Sequence, residues 1–221
     1  MPYKPYHKYL SFVVLLSSFT AVSQRYEFDT FVEYDYFKDE KSKPEKTFEF
    51  TYSKDNSYLL SIIDKDKKNF VLTFLSADGK EAVMTVSKES FFKDESTTVS
   101  CSATKKINLA DIEKSTSDFS YVQLNDTIIR KDTMQHYMVK SGKKDFHMVR
   151  HYIIQNDTGF HLPNITPGTA PYFKWKKIPI MPKGLFKETF IMKDDEIIEK
   201  MLMLKYTKKK KILILERGCQ Y

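Results

Sequence analysis

Glycine is scarce in this chain, with six in 221 residues. None of them belongs to a phosphate-cradling loop, a dinucleotide fingerprint or a Gly-x-Ser-x-Gly elbow. That removes the sequence signatures of nucleotide-dependent enzymes and of one large hydrolase class. Cysteine is scarcer still. Cys101 and Cys219 are the only two, and neither a Cys-x-x-Cys pair nor a Cys/His ligand spacing occurs, which argues against structural zinc. Alanine is also rare, which disfavours a helical bundle. No apolar run beyond the first two dozen residues approaches the roughly 20 needed to span a bilayer. No catalytic signature is found, so the chain is expected to be neither an enzyme nor a holder of a metal or cofactor.

What is present begins with a compartment signal. Residues 1–9 carry Lys4, His7 and Lys8 without an acid, and the apolar stretch Leu10–Val22 follows (LSFVVLLSSFTAV). Ala21-Val22-Ser23 then supplies the small residues that a signal peptidase reads. Cleavage before Gln24 leaves 198 residues, a length suited to one domain with a sizeable core. The reading is therefore a signal peptide over 1–23 and a single β-rich domain over 24–221, exported to the periplasm or the extracellular space. Two cysteines in an oxidising compartment are expected to form one bridge, Cys101–Cys219.

The formal charge falls from +7 to +5 once Lys4 and Lys8 are removed. Acids and bases are interleaved except at Lys174-Trp175-Lys176-Lys177 and Lys208-Lys209-Lys210-Lys211. Both clusters fall where turns or loops are expected, and an exported protein meets little nucleic acid, so no nucleic-acid partner is expected. Peripheral contact with an anionic membrane surface is the functional use weighed for such clusters, against the default of solvated turns.

The pattern after residue 24 is that of strands. Tyr26–Phe37 alternates, with Tyr26, Phe28, Thr30, Val32, Tyr34 and Tyr36 on the face assigned to the core. Thr47–Tyr52 alternates again. Tyr58–Ile63, Asn69–Ser76 and Glu81–Ser87 read as a meander, its second turn marked by Asp78-Gly79, residues suited to a tight I′ hairpin. Gln135–Ser141 and Phe146–Gln155 read as a hairpin joined at Gly142-Lys143-Lys144. Leu185–Met192, Glu196–Tyr206 and Lys211–Glu216 read as a second meander, with Thr207–Lys210 as a turn. A short helix is expected only within Lys105–Ser117, where Asn108 can cap it. The expected class is mainly β: a curved antiparallel sheet or open half-barrel built from meanders, with at most one or two short helices.

Thr158–Lys183 differs from the rest. Pro163, Pro167, Pro171, Pro179 and Pro182 exclude regular ladders and point to a long, partly packed loop. Its aromatic residues Phe160, Tyr172, Phe173 and Trp175 are the candidate ligand-binding residues, with the loop as a lid or as a static cover. Three large aromatics at Tyr172, Phe173 and Trp175 are expected to pack inward and leave Lys174, Lys176 and Lys177 outside. His147 and His151 form the one histidine pair with metal-like spacing. Met148 stands where a zincin needs Glu, and on a strand the two lie roughly 13 Å apart, so no metal site is expected. His136 and His161 read as lone histidines.

The signal Leu10–Ser23, the aromatic first strand Tyr26–Phe37 and the meanders Tyr58–Ser87 and Leu185–Glu216 together resemble exported β-rich proteins of the LolA/LolB-like lipoprotein-carrier fold. The resemblance is one of pattern over most of the chain, without signature residues. It implies a strongly curved antiparallel sheet with a hydrophobic concave face closed by helices or loops, and an apolar ligand such as acyl chains. Two functions are weighed on this basis. One is an envelope protein that binds an apolar or lipid-like ligand. The other is a structural or protein-interaction module of the envelope that contacts another protein. N-terminal analysis of the exported protein should give Gln24 as the first residue; retention of Met1 or Pro2 would refute the signal peptide.

Overall fold

The computed structural model describes residues 24–142, 148–217 and 219. The expected signal peptide 1–23, Lys143 and Lys144 of the expected hairpin turn, and His147 lie outside these residues. In chain order the strands and α-helices are β1 (Gln24–Phe37), β2 (Glu45–Tyr52), β3 (Asp55–Asp64), β4 (Asn69–Ser76), β5 (Lys80–Ser87), α1 (Lys88–Lys93), β6 (Ser96–Val99) and β7 (Thr104–Lys106). They continue with α2 (Ala110–Lys114), β8 (Phe119–Gln123), β9 (Thr127–Ile129), β10 (Asp132–Met134), β11 (His136–Ser141), β12 (Met148–Ile154), α3 (Ala170–Lys177), β13 (Phe186–Lys193) and β14 (Glu196–Leu215). The class is mainly β, as expected, with three short α-helices instead of at most two.

One 12-stranded sheet runs β7-β5-β4-β3-β2-β1-β14-β13-β12-β11-β8, and β6 adds a short parallel pairing to β14. All the other pairings are antiparallel. Sequential strands are neighbours through most of the order, because short connections allow only local antiparallel pairing. Strands β9 and β10 form a separate hairpin.

The expected face of β1 holds only in part. Phe28, Thr30, Val32 and Tyr34 are buried, but so is Phe31, which strict alternation placed with the acids. The pairing of β1 with β14 shifts between Phe28 and Thr30. One extra residue at such a bulge reverses the alternation, so Phe28 and Phe31 enter the same core cluster. Asp29, at the shift, accepts the Ser53 backbone N–H at 2.9 Å and the hydroxyls of Ser53 and Thr30.

Turn chemistry brings a second correction. Gly79 has φ +85°, but Asp78 is not in the left-handed region, so the β4–β5 connection is not the two-residue I′ turn. A Cβ at Gly79 would stand 2.5 Å from the Ile107 carbonyl oxygen, which explains glycine there. Two-residue turns with both φ positive occur instead at Arg130-Lys131 and Asp194-Asp195.

Both lysine clusters sit in regular structure and not in turns. Thr207 and Lys208 pair with Phe31 and Thr30, so β14 runs unbroken through the expected Thr207–Lys210 turn. The lysines there have partners that a sequence pattern does not reveal. Lys208 lies 3.8 Å from the Phe160 ring centroid and Lys209 lies 4.5 Å from that of Phe92. Lys211 is buried, and its Nζ donates to the carbonyls of Phe91 (2.6 Å) and Asp94 (2.7 Å). Burial pushes this ammonium down to about 8. The second cluster, Lys174–Lys177, ends α3, a helix inside the proline-rich loop. Thr169 caps it by accepting from Tyr172 N, and Pro171 falls in its first turn, where proline costs no helical hydrogen bond.

A large aromatic cluster fills the half of the sheet around β1–β4, with Phe28, Phe31, Phe50, Phe70, Phe74 and Phe91 at its centre. Phe91 is delivered by α1, which Ser87 caps. A second cluster forms under the proline-rich loop around Tyr137, Tyr152, Tyr172, Trp175 and Phe186. Cys101 and Cys219 are joined by a disulfide across 118 residues of sequence. The bridge fastens the chain just beyond β6 to the chain just beyond β14. Replacing both cysteines by serine should lower stability by about 2–5 kcal/mol, read as a shift in the denaturant midpoint; the shift should vanish when both proteins are compared under reducing conditions.

Candidate functional site

Strand β2 decides what lies under the proline-rich loop. Its alternation turns Phe48 and Phe50 into the aromatic cluster and Glu49 and Thr51 to the opposite face. That second face would be solvated on an open sheet. Here the loop between β12 and β13 lies over it. Thr51 Oγ1 meets His161 Nε2 at 2.7 Å, Asn56 Nδ2 donates to Pro163 O at 2.8 Å, and Leu162 N donates to Ser53 O at 3.1 Å. At the far end, Leu185 N donates to Thr158 Oγ1 at 2.7 Å. Gly184, at φ +148°, is forced by contact, since a Cβ there would stand 2.5 Å from Ile154 Cγ2. The loop is therefore stapled to β2 and β3 through residues 161–163, and its two ends are tied to each other.

Between the loop and the sheet lies a cavity of about 240 Å³. Val139, Arg150, Tyr152 and Ile191 line it from β11, β12 and β13, with Met201 from β14 and Phe119 from β8. Thr166, Thr169 and Pro171 cover it from the loop. Most of this surface is apolar. Its polar lining comprises Arg150, Thr166, Thr169, Thr189 and a hydrogen-bonded group formed by Tyr34, Glu49 and Asn164. Asn164 Nδ2 donates to Glu49 Oε2 at 2.8 Å and to Tyr34 Oη at 3.0 Å, and the Tyr34 hydroxyl also bonds the carboxyl. The Asn164 carbonyl oxygen accepts from Phe186 N at 3.4 Å, which holds the amide in place.

Burial pushes the Glu49 carboxyl up to about 7, although donation from Asn164 and Tyr34 favours its charged form. Burial, with the neighbouring Glu49 charge, also holds the Tyr34 phenol protonated well above its ordinary range. Arg150 stands a third exposed and faces Glu199 at 3.7 Å. In chemical terms the cavity offers an apolar body site and a single buried acid with two neutral donors.

The aromatic residues singled out from sequence lie beside this cavity and not in its wall. Tyr172 and Trp175 are buried and Phe173 is half-buried, all three packing into the second core cluster. That is the expected inward packing, and Lys176 and Lys177 are exposed as expected, while Lys174 is half-buried. Phe160 stands apart, exposed, with its ring 6.1 Å from that of Tyr206. The loop reaches the cavity instead through Asn164, Thr166, Thr169 and Pro171. Glu49 and Asn164 were missed because an acid between two phenylalanines on a strand reads as a solvated position. The partner that buries it is 115 residues away.

The histidines also rearrange. His151 meets His136 at 2.9 Å (Nδ1 to Nε2), so His136 is not alone. The His151 ring stacks on Phe190 at 4.4 Å. Burial and the neighbouring His136 push His151 down to about 4, so the pair is uncharged at neutral pH. Lying between Arg150 and Tyr152 on β12, His151 points away from the cavity.

No family profile and no curated protein sequence matches the chain. Among solved structures, its fold is similar to that of MucB, with TM-score 0.42 and 6% identity over 82% of this chain and 53% of that one. It is similar in the same way to a chain of the MucA/MucB complex of Pseudomonas aeruginosa, with TM-score 0.44 and 7% identity over 85% and 53%. A third similarity is to a domain assigned to outer membrane lipoprotein sorting in Vibrio parahaemolyticus, with TM-score 0.30 and 7% identity over 82% and 86%. The chain thus spans about half the length of the two MucA/MucB-type chains. The resemblance to the lipoprotein-carrier fold reappears here as structural similarity at low identity.

A pH prediction follows from Glu49. Its folded-state pKa of about 7 lies above the unfolded value near 4.5, so the native state holds the extra proton between them. Stability associated with this group is fully present below about 4.5 and is lost as pH rises through about 7. Glu49→Gln should therefore gain on the parent protein across that window, by up to about 3 kcal/mol above it. Urea unfolding of both proteins from about pH 4 to 8 checks this. The opposite slope from His151 cancels in the difference, because both proteins carry it.

Proposed function

We propose that this is an exported envelope protein that binds, without transforming, an apolar or lipid-like molecule in the cavity beneath residues 164–171. The observation that carries this reading is the cavity itself, about 240 Å³ and walled mainly by apolar side chains. Well-packed interiors leave few voids larger than a water molecule. For scale, an apolar cavity of about 150 Å³ accepts benzene, so this one suits a ligand portion of about ten non-hydrogen atoms. The Cys101–Cys219 bridge suits an oxidising compartment.

A protein-interaction role in the envelope is supported by a different feature. Among the described residues, strand β8 is the last in the strand order of the sheet, and a sheet edge is a template for a partner strand. The cavity favours the ligand reading, because an interaction module has no need of one.

Protein purified without detergent should carry a small apolar adduct in native mass spectrometry. Trp175, the only tryptophan, packs in the same cluster as cavity residues Tyr152 and Phe186. Its emission should shift saturably when a neutral long-chain alcohol or a short-chain phospholipid is titrated in. A bare monomer whose emission no amphiphile moves would defeat the ligand reading, and a stoichiometric co-purifying protein in its place would favour the interaction role.

A further inference from the structure

Glu49 is 8% exposed and lies in the cavity wall, yet among the described residues no lysine, arginine or histidine comes within ion-pair distance of it. Its protein partners are the Asn164 amide and the Tyr34 hydroxyl, both neutral donors. A carboxylate accepts at about four lone-pair sites, so these two leave acceptor capacity unused. Leaving a buried acid with neutral donors alone is costly, and glutamine would fill the same space without that cost.

The groups that face Glu49 from each surrounding element make this asymmetry sharper. Tyr34 of β1 and Asn164 of the loop are committed to each other and to the carboxyl. Thr169 Oγ1 donates to Thr166 O at 2.7 Å and so turns its proton away. The nearest cation in the cavity wall, Arg150 of β12, faces a carboxylate of its own in Glu199. Around Glu49 the cavity therefore keeps hydrogen-bond acceptor capacity without a facing cation among the described residues, in a wall that is mainly apolar.

We infer that the cavity takes an apolar amine, with a hydrocarbon or aromatic body packed against β12 and β13 and an ammonium group donating to Glu49. This rests on the ligand-binding reading above and narrows its chemical class. An ammonium group has three donors and no acceptor, which complements a site with spare acceptors. Charge-assisted hydrogen bonds are roughly twice as strong as neutral ones, so an alcohol of the same length gains less. A carboxylate-headed chain meets a like charge. A raised Glu49 carboxyl pKa has a consequence here: pairing with a cation draws the group back to its charged form, so amine binding releases a proton near neutral pH.

Isothermal titration calorimetry with n-octylamine, n-octanol and sodium octanoate tests the inference on the full chain. At about pH 8, where Glu49 is ionised and the amine still charged, octylamine should bind about tenfold or more tightly than octanol. Octanoate should bind weakest. At about pH 5 the preference of amine over alcohol should collapse, and Glu49→Gln should remove it at pH 8. Octanol or octanoate binding as tightly as octylamine at about pH 8 would overturn the amine and leave the apolar-ligand reading standing. So would an amine preference that survives in Glu49→Gln. Failure of all three probes to bind would overturn both. The comparison among probes needs no variant, so it stands even if Glu49→Gln alters folding.

Discussion

The length and shared edges of β14 govern the architecture. Along one side it pairs with β1 from Gln24↔Leu215 to Phe37↔Lys200, with register shifts on the way. Along the other side its first part pairs with β13 and its last with the parallel strand β6. A 20-residue strand shared in this way cannot stay flat, because strand twist accumulates and bulges add local bends. The two ends of the sheet pack against separate cores. The aromatic cluster around β1–β4 is one, and the cluster beneath the proline-rich loop is the other.

The loop completes the second half because prolines prevent it from joining the sheet as another strand. It docks through side-chain hydrogen bonds instead: His161 to Thr51, Asn56 to Pro163, Asn164 to Glu49 and Tyr34. Side chains that meet the backbone or each other at fixed points hold a surface without filling every space beneath it. The cavity is what remains where polar staples, and not interdigitated side chains, set the separation between loop and sheet. Helix α3 then closes the packing with Tyr172 and Trp175.

Buried charge is handled in two contrasting ways. Lys211 is satisfied within the chain, since two backbone carbonyls accept from its ammonium and the Phe91 ring lies 4.1 Å away. Among the described residues, Glu49 has only neutral donors as partners. The first arrangement ties α1 and the segment before β6 to β14 and is structural. The second leaves acceptor capacity inside an apolar space, the arrangement a ligand can use.

Strand periodicity, the break between the strands Leu185–Met192 and Glu196–Tyr206 and the proline-rich interruption were all legible from the sequence, as was the pairing of the only two cysteines. These are local or compositional properties: alternation repeats every two residues, and turn residues act through their own backbone preferences. Other features depended on partners distant in the chain. The bulge at Asp29 reverses the faces of β1 because β14 imposes the register, which brings Phe31 inward. Lys208–Lys211 reads as a solvated turn until the rings of Phe160, Phe92 and Phe91 are placed beside it. The aromatic residues of the loop could be read as inward-facing, but not as neighbours of the cavity and absent from its wall. Glu49 looks like any strand acid, and only tertiary structure buries it, because burial is a property of what lies opposite, here Asn164 more than a hundred residues further on. The β class and the inward packing of the loop's aromatics follow from periodicity and composition; the identity of the buried acid, and with it the chemistry of the site, rests on contacts that no local pattern encodes.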